Sequence, residues 1–463
     1  MMVVLKFGGT SVADADAIAR LVAIVAARRG ARTVVVSALA GVTDALLEIA
    51  RLAPDDSFQA RASLAALVRR HHEVAAAMGA QRSRLDADVD GLALTAARSI
   101  DALSAGASPT SAEATAGRPA LVDRLLAVGE LWSSRIVAAC LANAGIASQW
   151  CDARGVIRTD ARHGCASPDL AATADAVTRL VRPALALNRV VVLGGFVGSG
   201  PAGETTTLGR GGSDYSAAIV GACLQADEIE IWTDVDGVLS ADPRVVADAR
   251  VLPALSYEDA HALATFGAKV LHPKTIEPAA ALGIPVVVRN SRRPAEPGTR
   301  IDAHGAGSGQ VAAVASRGGV SLVHVARRPS ATGSFAALAF QALSDAGISV
   351  VVGEFSEDRL TVVVDASFDL DGFRERVAPF ADVQTRGGLA AVCAVGDRLT
   401  TEPHLVKDAF GVGLFDDASV HLVSRPHGRT SFAVIVDDGD AHGLVTRLHH
   451  HFHGYDMDQK VAV

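Results

Sequence analysis

The chain has 463 residues, too long for one ordinary domain and enough for two or three. It is 49% hydrophobic, and its formal charge of −8 is spread over interleaved acidic and basic residues, which argues against a nucleic-acid partner. Apolar runs such as residues 21–27 fall well short of the roughly 20 residues a membrane-spanning helix needs. The N-terminus lacks the charged start and cleavage site of a secretory signal. The five cysteines (Cys140, Cys151, Cys165, Cys223 and Cys393) form no CxxC pair or ligand-like spacing. The expectation is a soluble cytoplasmic protein in a reducing compartment, with neither membrane nor nucleic acid as partner.

Along the first 300 residues, short β-rich runs alternate with longer helical stretches. Residues 3–7 read as a strand, 14–29 as a helix and 33–37 as a second strand, and Ala- and Leu-rich helical segments follow to 144. Residues 190–193, 228–233 and 285–289 read as further buried strands. Continuous apolar runs of this kind suit the central strands of a mostly parallel sheet covered on both faces, so the first part is a layered α/β domain. The Pro/Gly-rich stretch 293–309 reads as a linker. Beyond it come smaller units: strand 320–325, helix 333–346, strands 348–355 and 359–365, and helix 368–377. A similar series follows with strand 390–395, a helix around 404–410, and strands 419–424 and 431–437. The repeat suggests two tandem helix-backed sheets.

The chemistry gathers at strand ends. Lys6-Phe7-Gly8-Gly9-Thr10-Ser11 follows the first strand and opens a helix, so that backbone N–H groups, a helix N-terminus and the Lys6 charge suit a phosphate-rich ligand. It is not the GxxxxGK[ST] loop, and taken alone it is no more than a tight turn. A second glycine-rich segment, 194–213, reads as a long loop ending at a helix near Ser213, a length that is usually functional. Within it Arg210, set between glycines, is suited to clamping a carboxylate, and Asp214 sits in the first turn of the next helix. Three more segments lie at strand-to-helix turns: Ser37 to Asp44 with its hydroxyls, Thr233-Asp234-Val235-Asp236-Gly237 with Asp242-Pro243-Arg244 after it, and Gly267-Ala268-Lys269 before Leu271-His272-Pro273. Strand ends converging on one crevice are the usual place for an α/β active site.

These segments together resemble the aspartate kinases. Lys-Phe-Gly-Gly-Thr-Ser-Val at 6–12 is similar to their N-terminal signature, and Thr-Thr-Leu-Gly-Arg-Gly-Gly-Ser-Asp at 206–214 to their substrate loop. Trp-Thr-Asp-Val-Asp-Gly-Val, Ala-Asp-Pro-Arg and Phe-Gly-Ala-Lys-Val-Leu-His-Pro complete the match. The resemblance implies a three-layer αβα amino-acid-kinase domain with a mostly parallel central sheet (1–295) and a linker (296–316). Two α+β ferredoxin-like ACT domains would follow, the second (386–454) inserted in the first (317–385 and 455–463), so that the final strand returns to the first. It implies phosphorylation of L-aspartate by ATP with Mg2+, the first step towards lysine, threonine and methionine or diaminopimelate, and an amino-acid effector at the ACT domains.

By the same resemblance, Lys6 and Lys269 would contact the transferring phosphoryl group, Gly8 and Gly9 would cradle it, and Asp214 would hold Lys6. Glu130 would pair with the substrate ammonium and Arg210 with its α-carboxylate, with Ser37, Thr43, Phe196 and Gly211 in the same pocket. Thr233, Asp234, Asp242, Arg244 and Lys269 would hold the nucleotide, while Asp236 and Leu239 stand where relatives often have proline and tyrosine. No protein metal cage is needed, because Mg2+ commonly arrives with the nucleotide. Ser356 and Glu357 match part of the effector site of lysine-inhibited relatives. Val351 replaces an acidic residue there, which predicts weak or altered feedback.

Small ACT sheets commonly pair, so a homodimer is expected. Rival readings are another amino-acid kinase of this fold, a homologue acting on a different amino acid in a specialised pathway, and a catalytically silent ACT-domain sensor. Retention of Lys6, Arg210, Asp214 and Lys269 argues against the last. The tract His449-His450-His451-Phe452-His453 reads as a solvated helix end, since no acidic or cysteine ligand accompanies it at ligand spacing. His71-His72 reads as a polar helix face.

Overall fold

The computed structural model describes residues 1–79, 82–105, 117–267, 271–305, 313–329, 333–396, 399, 413–425 and 431–453. Contacts divide the chain into two compact units, one of Met1–Gly237 with Leu271–Ala303, the other of Val238–Val270 with His304–Val463. The segment Val238–Val270, expected in the N-terminal domain, thus makes its contacts with the C-terminal part.

In the first unit, the strands β1 (Met2–Phe7), β2 (Ala31–Val36), β3 (Ser148–Trp150), β4 (Val190–Gly194), β7 (Glu228–Thr233), β8 (Val286–Asn290) and β9 (Thr299–Asp302) lie in the order β3-β4-β2-β1-β7-β8-β9. The intervening hairpin strands β5 (Val197–Ser199) and β6 (Thr205–Thr207) form a separate two-stranded ladder. All pairs from β3 to β8 are parallel, with Lys6 level with Val35 on one side and Ile231 on the other. Strand β9 runs antiparallel to β8, pairing Thr299 with Val288. It lies inside the stretch expected to be a linker, because the Pro/Gly cluster before it serves as a hairpin turn. Parallel pairing puts the C-terminal ends of β1, β2, β4, β7 and β8 on one edge.

Helices cover this sheet for local reasons. Asp14 accepts a hydrogen bond from the Ala17 amide (2.8 Å) and starts α1 (Ala15–Ala27), whose Ile18, Leu21 and Val25 are buried at helical spacing. After α2 (Val42–Leu52), Asp56 caps α3 (Ser57–Ala77) in the same way. The helices α4 (Arg82–Ser104) and α5 (Gly117–Asn143) complete this layer. By length and composition α5 is apolar enough to cross a membrane, but it is mostly buried inside the fold and behaves as a core helix. His71 is fully buried against Trp132 (ring centroids 4.4 Å), and burial pushes its pKa down to about 4. The expected polar face therefore belongs to His72 alone, which bonds Asp86 and Asp90. The other face receives α6 (Leu170–Leu180), α7 (Gly212–Leu224) and α8 (Pro273–Ala280).

The second unit holds a six-stranded antiparallel sheet of β10 (Ala313–Arg327), β11 (Val350–Phe355), β12 (Arg359–Asp365), β13 (Ala381–Val395), β14 (Val420–Ser424) and β15 (Ser431–Asp437), in the order β11-β12-β10-β13-β15-β14. Helices α9 (Phe335–Asp345) and α10 (Leu370–Val377) pack on one half around Phe335, Leu343, Val362 and Phe373. Helix α11 (Ala441–His453) packs on the other half around Val392, Phe432, Val434, Leu444 and Leu448. The two expected modules are therefore joined in one sheet, because the central strands β10 and β13 are 15 residues each and serve both halves. The expected helix around 404–410 and the returning strand 455–463 lie outside the described residues.

Candidate functional site

A cleft of about 900 Å³ opens at the C-terminal edge of the first unit's sheet. Lys6, Gly9, Ser37, Thr43, Glu130, Phe196, Arg210, Gly211 and Asp214 all line it. Nine of the residues singled out in the sequence, from Lys6 to Asp214, thus meet in one place.

Lys6 is the penultimate residue of β1 and is only 7% exposed, and its ammonium forms an ion pair with Asp214 in the first turn of α7. A buried ammonium needs such a partner, and the pair fixes where the charge points. Gly8 lies beside it, but its N–H donates to the Trp232 carbonyl (3.0 Å), tying the end of β1 to β7. A Cβ at Gly8 would stand 3.6 Å from the Lys6 Nζ, in ordinary van der Waals contact with it, so the glycine leaves that side of the ammonium open. Ser11 closes the turn on Ser291 (2.8 Å).

The 194–213 segment is a hairpin rather than a flexible loop. Val197 pairs with Thr207 and Ser199 with Thr205, and Thr206 and Thr207 are buried. Phe196 enters this hairpin with φ 66, a backbone state that costs a non-glycine residue about 1–3 kcal/mol. Its N–H donates to Ser216 Oγ (2.9 Å) and its carbonyl accepts from Leu208 (2.9 Å), which hold the strained residue against the cleft. Arg210 stands between Gly209 and Gly211, both left-handed (φ 78 and 71). At Gly211 a Cβ would also fall 2.4 Å from His272 Cβ, so no other residue fits between the arginine and that wall.

Helix α5 supplies two carboxylates that differ sharply. Glu130 is 3% exposed, packed under the 37–42 turn, and its Oε2 has no hydrogen-bond partner among the described residues. Burial pushes its pKa up to about 8, with the Ala38 and Glu130 amides and the Lys6 charge pulling only partly the other way. Asp123, two turns earlier and 1% exposed, is saturated instead. It accepts from Thr207 Oγ1 (2.6 Å), the Thr207 amide (3.2 Å) and the Gly164 amide (3.1 Å), and sits 2.8 Å from His163 Nδ1. Asp123, His163 and Arg118 line the same cleft and were not singled out in the sequence. The available signal was an aspartate on α5 whose neighbours three and four residues away, Pro119, Ala120, Leu126 and Ala127, are all apolar.

The expected nucleotide residues are distributed differently. Thr233 and Asp234 close β7, beside β1, with Thr233 Oγ1 donating to Asp234 (3.2 Å) and Ser291 donating to the Thr233 carbonyl (2.8 Å). Asp236, where relatives often have proline, accepts from Asn290 (2.7 Å) and pairs with Arg293. Asp242 and Arg244 belong to the second unit, where the arginine pairs with the aspartate two residues before it (3.0 and 3.2 Å from Nε). Lys269 lies outside the described residues. Ser356 and Glu357 occupy the exposed turn between β11 and β12, where Ser356 Oγ donates to Asp358 (3.0 Å).

Comparison with known proteins agrees with this geometry. Residues 1–290 match the Amino acid kinase family. The chain is 33% identical to lysine-sensitive aspartokinase 3 of Escherichia coli over 97% of its own length and 98% of that protein's. It is 36% identical to a chloroplastic bifunctional aspartokinase/homoserine dehydrogenase of Arabidopsis thaliana over 64% of its length, spanning 32% of that longer protein. Among solved structures, E. coli aspartokinase III in complex with aspartate and ADP superposes with a TM-score of 0.86 at 32% identity, covering 98% of this chain and 100% of that one. The same enzyme with lysine and aspartate gives 0.75, covering 97% and 99%. The chain belongs to the amino acid kinase family and, within it, to the aspartokinases.

Proposed function

We propose that the chain transfers the γ-phosphoryl group of ATP to the side-chain carboxylate of L-aspartate, giving ADP and 4-phospho-L-aspartate. The observation that carries this reading is Glu130, a buried carboxylate with an unpartnered oxygen in a cleft that also holds Arg210. The pair is the complement of an α-amino acid, with Glu130 meeting the ammonium and Arg210 the α-carboxylate. Ser37 and Thr43 supply hydroxyls, and Phe196 and Gly211 shape the wall. The side chain of the bound amino acid is then directed to Lys6. A carboxylate nucleophile is already ionised at neutral pH, so no general base is required. What catalysis needs is position and positive charge.

Lys6, oriented by Asp214, supplies that charge, with Gly8 and Gly9 leaving room for the transferring group. Lys269 would join it. Thr233, Asp234, Asp242 and Arg244 would hold the nucleotide, Arg244 exchanging its present carboxylate partner for phosphate. The carboxylate donors suit Mg2+, which would be held by the nucleotide phosphates, water and the exposed Asp234 and would neutralise charge on the transferring group.

The domain reading that goes with this function is a catalytic domain over 1–295, a linker, and two ACT domains, the second inserted in the first. An amino-acid effector would bind near Ser356 and Glu357. Val351 leaves its ammonium without an acidic partner, so feedback is weak or altered. A homodimer through the ACT sheets is the matching assembly. Five unpaired cysteines, Cys140 and Cys393 among them buried, support a reducing cytoplasmic setting.

An ATP- and Mg2+-dependent hydroxamate assay offering L-aspartate, L-glutamate and N-acetylglutamate separately tests the reading. Product from aspartate, lost in Lys6→Ala and Arg210→Ala, is expected. Product from another acid alone moves the substrate, and product from none overturns the kinase assignment.

A further inference from the structure

The histidine tract at the end of α11 has no role in the phosphoryl-transfer site, and its surroundings differ from those of a solvated helix end. His449 is 1% exposed. Its Nε2 lies 2.9 Å from Ser240 Oγ, while its Nδ1, also buried, has no hydrogen-bond partner among the described residues. One turn on, the His453 ring lies tilted against it with ring centroids 4.4 Å apart, and the His453 Nε2 is likewise buried without a hydrogen bond among the described residues. The acidic partner that the local sequence lacks comes from about 200 residues away. Asp248 Oδ1 sits 3.7 Å from His450 Nε2, and one ligand atom each from Asp248, His449 and His450 fall within 4.8 Å of one another. All of these residues belong to the second unit.

A buried imidazole nitrogen left unsatisfied destabilises the fold unless something else meets it. A second partner that fixes the tautomer through the other nitrogen is the usual arrangement behind a metal-bound histidine. Ser240 is in that position, and its own Oγ is fixed by accepting the Arg250 amide (2.9 Å). With Ser240 at Nε2, the buried Nδ1 of the His449 ring is the nitrogen left for another partner. Two imidazoles and a carboxylate select borderline divalent ions, not the oxygen-loving Mg2+ or Ca2+.

We propose that Asp248, His449 and His450 bind one borderline divalent transition-metal ion, such as Zn2+, with the His453 ring beside them, and that the ion fastens the segment carrying Ser240 and Asp248 onto α11. The test uses the full chain, free of any affinity tag and stripped with chelator. Titration with Zn2+ by calorimetry and with Co2+ by visible absorption is expected to give one saturable site. Asp248→Asn and His450→Gln, both at partly exposed positions, should each weaken it at least tenfold. His451→Gln, outside the cluster, should leave it unchanged and so separates the cluster from a generic histidine-rich tract. Zn2+ should also raise the melting temperature of the native chain and not of Asp248→Asn. Loss of binding in His451→Gln equal to that in the other two, or no saturable site, overturns the proposal.

Discussion

Glu130 and Asp123 stand on one face of the same buried helix, line the same cleft and are almost equally hidden from water, yet their surroundings are opposite. Around Asp123 three N–H or O–H donors from two other segments converge, and His163 completes the set. Around Glu130 one oxygen has no partner among the described residues, and burial holds the carboxyl largely protonated at neutral pH. A buried carboxylate is tolerable when it is hydrogen-bonded and expensive when it is not. The first therefore builds the wall of the site, fixing the 163–164 turn against the 205–207 strand. The second, whose burial the Lys6 charge offsets only in part, is the group proposed to meet the substrate ammonium.

The largest effect should come from breaking the second of these. Glu130→Gln would remove the counter-charge proposed for the substrate ammonium, a loss of the order of 2–5 kcal/mol for a buried pair. The KM for aspartate is therefore expected to rise about 100-fold at pH 8, while urea unfolding shows no loss of stability. A destabilised enzyme with unchanged KM would reverse the roles assigned to the two carboxylates. Asp123→Asn should do the converse. The amide would turn N–H groups towards the N–H donors of Gly164 and Thr207, and stability should fall by about 2–3 kcal/mol, read as a lower urea midpoint. If Asp123→Asn unfolds like the native chain, the wall does not depend on that carboxylate.

Much of this site was legible in the sequence, and the omissions have physical causes. Strands β7 and β15 lie at the residues expected, and so do the strand ends that bear Lys6, Ser37 and Thr233, because buried apolar runs and glycine turns are local signals. The 197–207 hairpin was not, since its threonines and glycines have the composition of a loop and its burial comes from contacts such as Thr159 with Thr206 (2.7 Å). Strands β10 and β13 were read at half length because Gly318-Gly319 and Gly387-Gly388 look like strand ends. The sheet instead carries both strands past them with a register shift between Arg317 and Val320. Asp123 was not singled out and His449 reads from the sequence as part of a solvated helix end for a shared reason: what makes each informative is a partner far away in the chain, such as Ser240 for His449, 209 residues distant.

The contrast on α5 also sharpens with pH. Glu130 has a folded pKa of about 8 against an ordinary 4.5, so between those values the unfolded chain has lost the proton that the folded chain keeps. Its contribution therefore makes stability fall as pH rises from about 4.5 to 8 and then level off, a slope that Glu130→Gln should abolish. Substrate ammonium needs the ionised form, so aspartate binding should release a proton and strengthen about tenfold per pH unit from pH 6 towards 8. Calorimetry in buffers of different ionisation enthalpy measures that release directly. Binding with no proton release would mean that Glu130 is already ionised in the free enzyme.

The same rule, applied to the second unit, gives the smallest and most discriminating effect. An effector carrying an ammonium would need there what Glu130 offers in the cleft, a carboxylate shielded from water. At β11 the position proposed to correspond is Val351, half-buried, while Glu357 in the following turn is exposed and so would offer little to an ammonium against water. Lysine titrated against aspartate-kinase activity should therefore inhibit weakly. Val351→Glu should lower the half-inhibitory lysine concentration by about three- to tenfold, an increment of roughly 1 kcal/mol appropriate to a partly exposed pair, without changing the KM for aspartate. Strong inhibition of the native chain by lysine would show that an ammonium is accommodated by other groups, and that the need for a buried counter-charge does not extend from the catalytic cleft to the effector site.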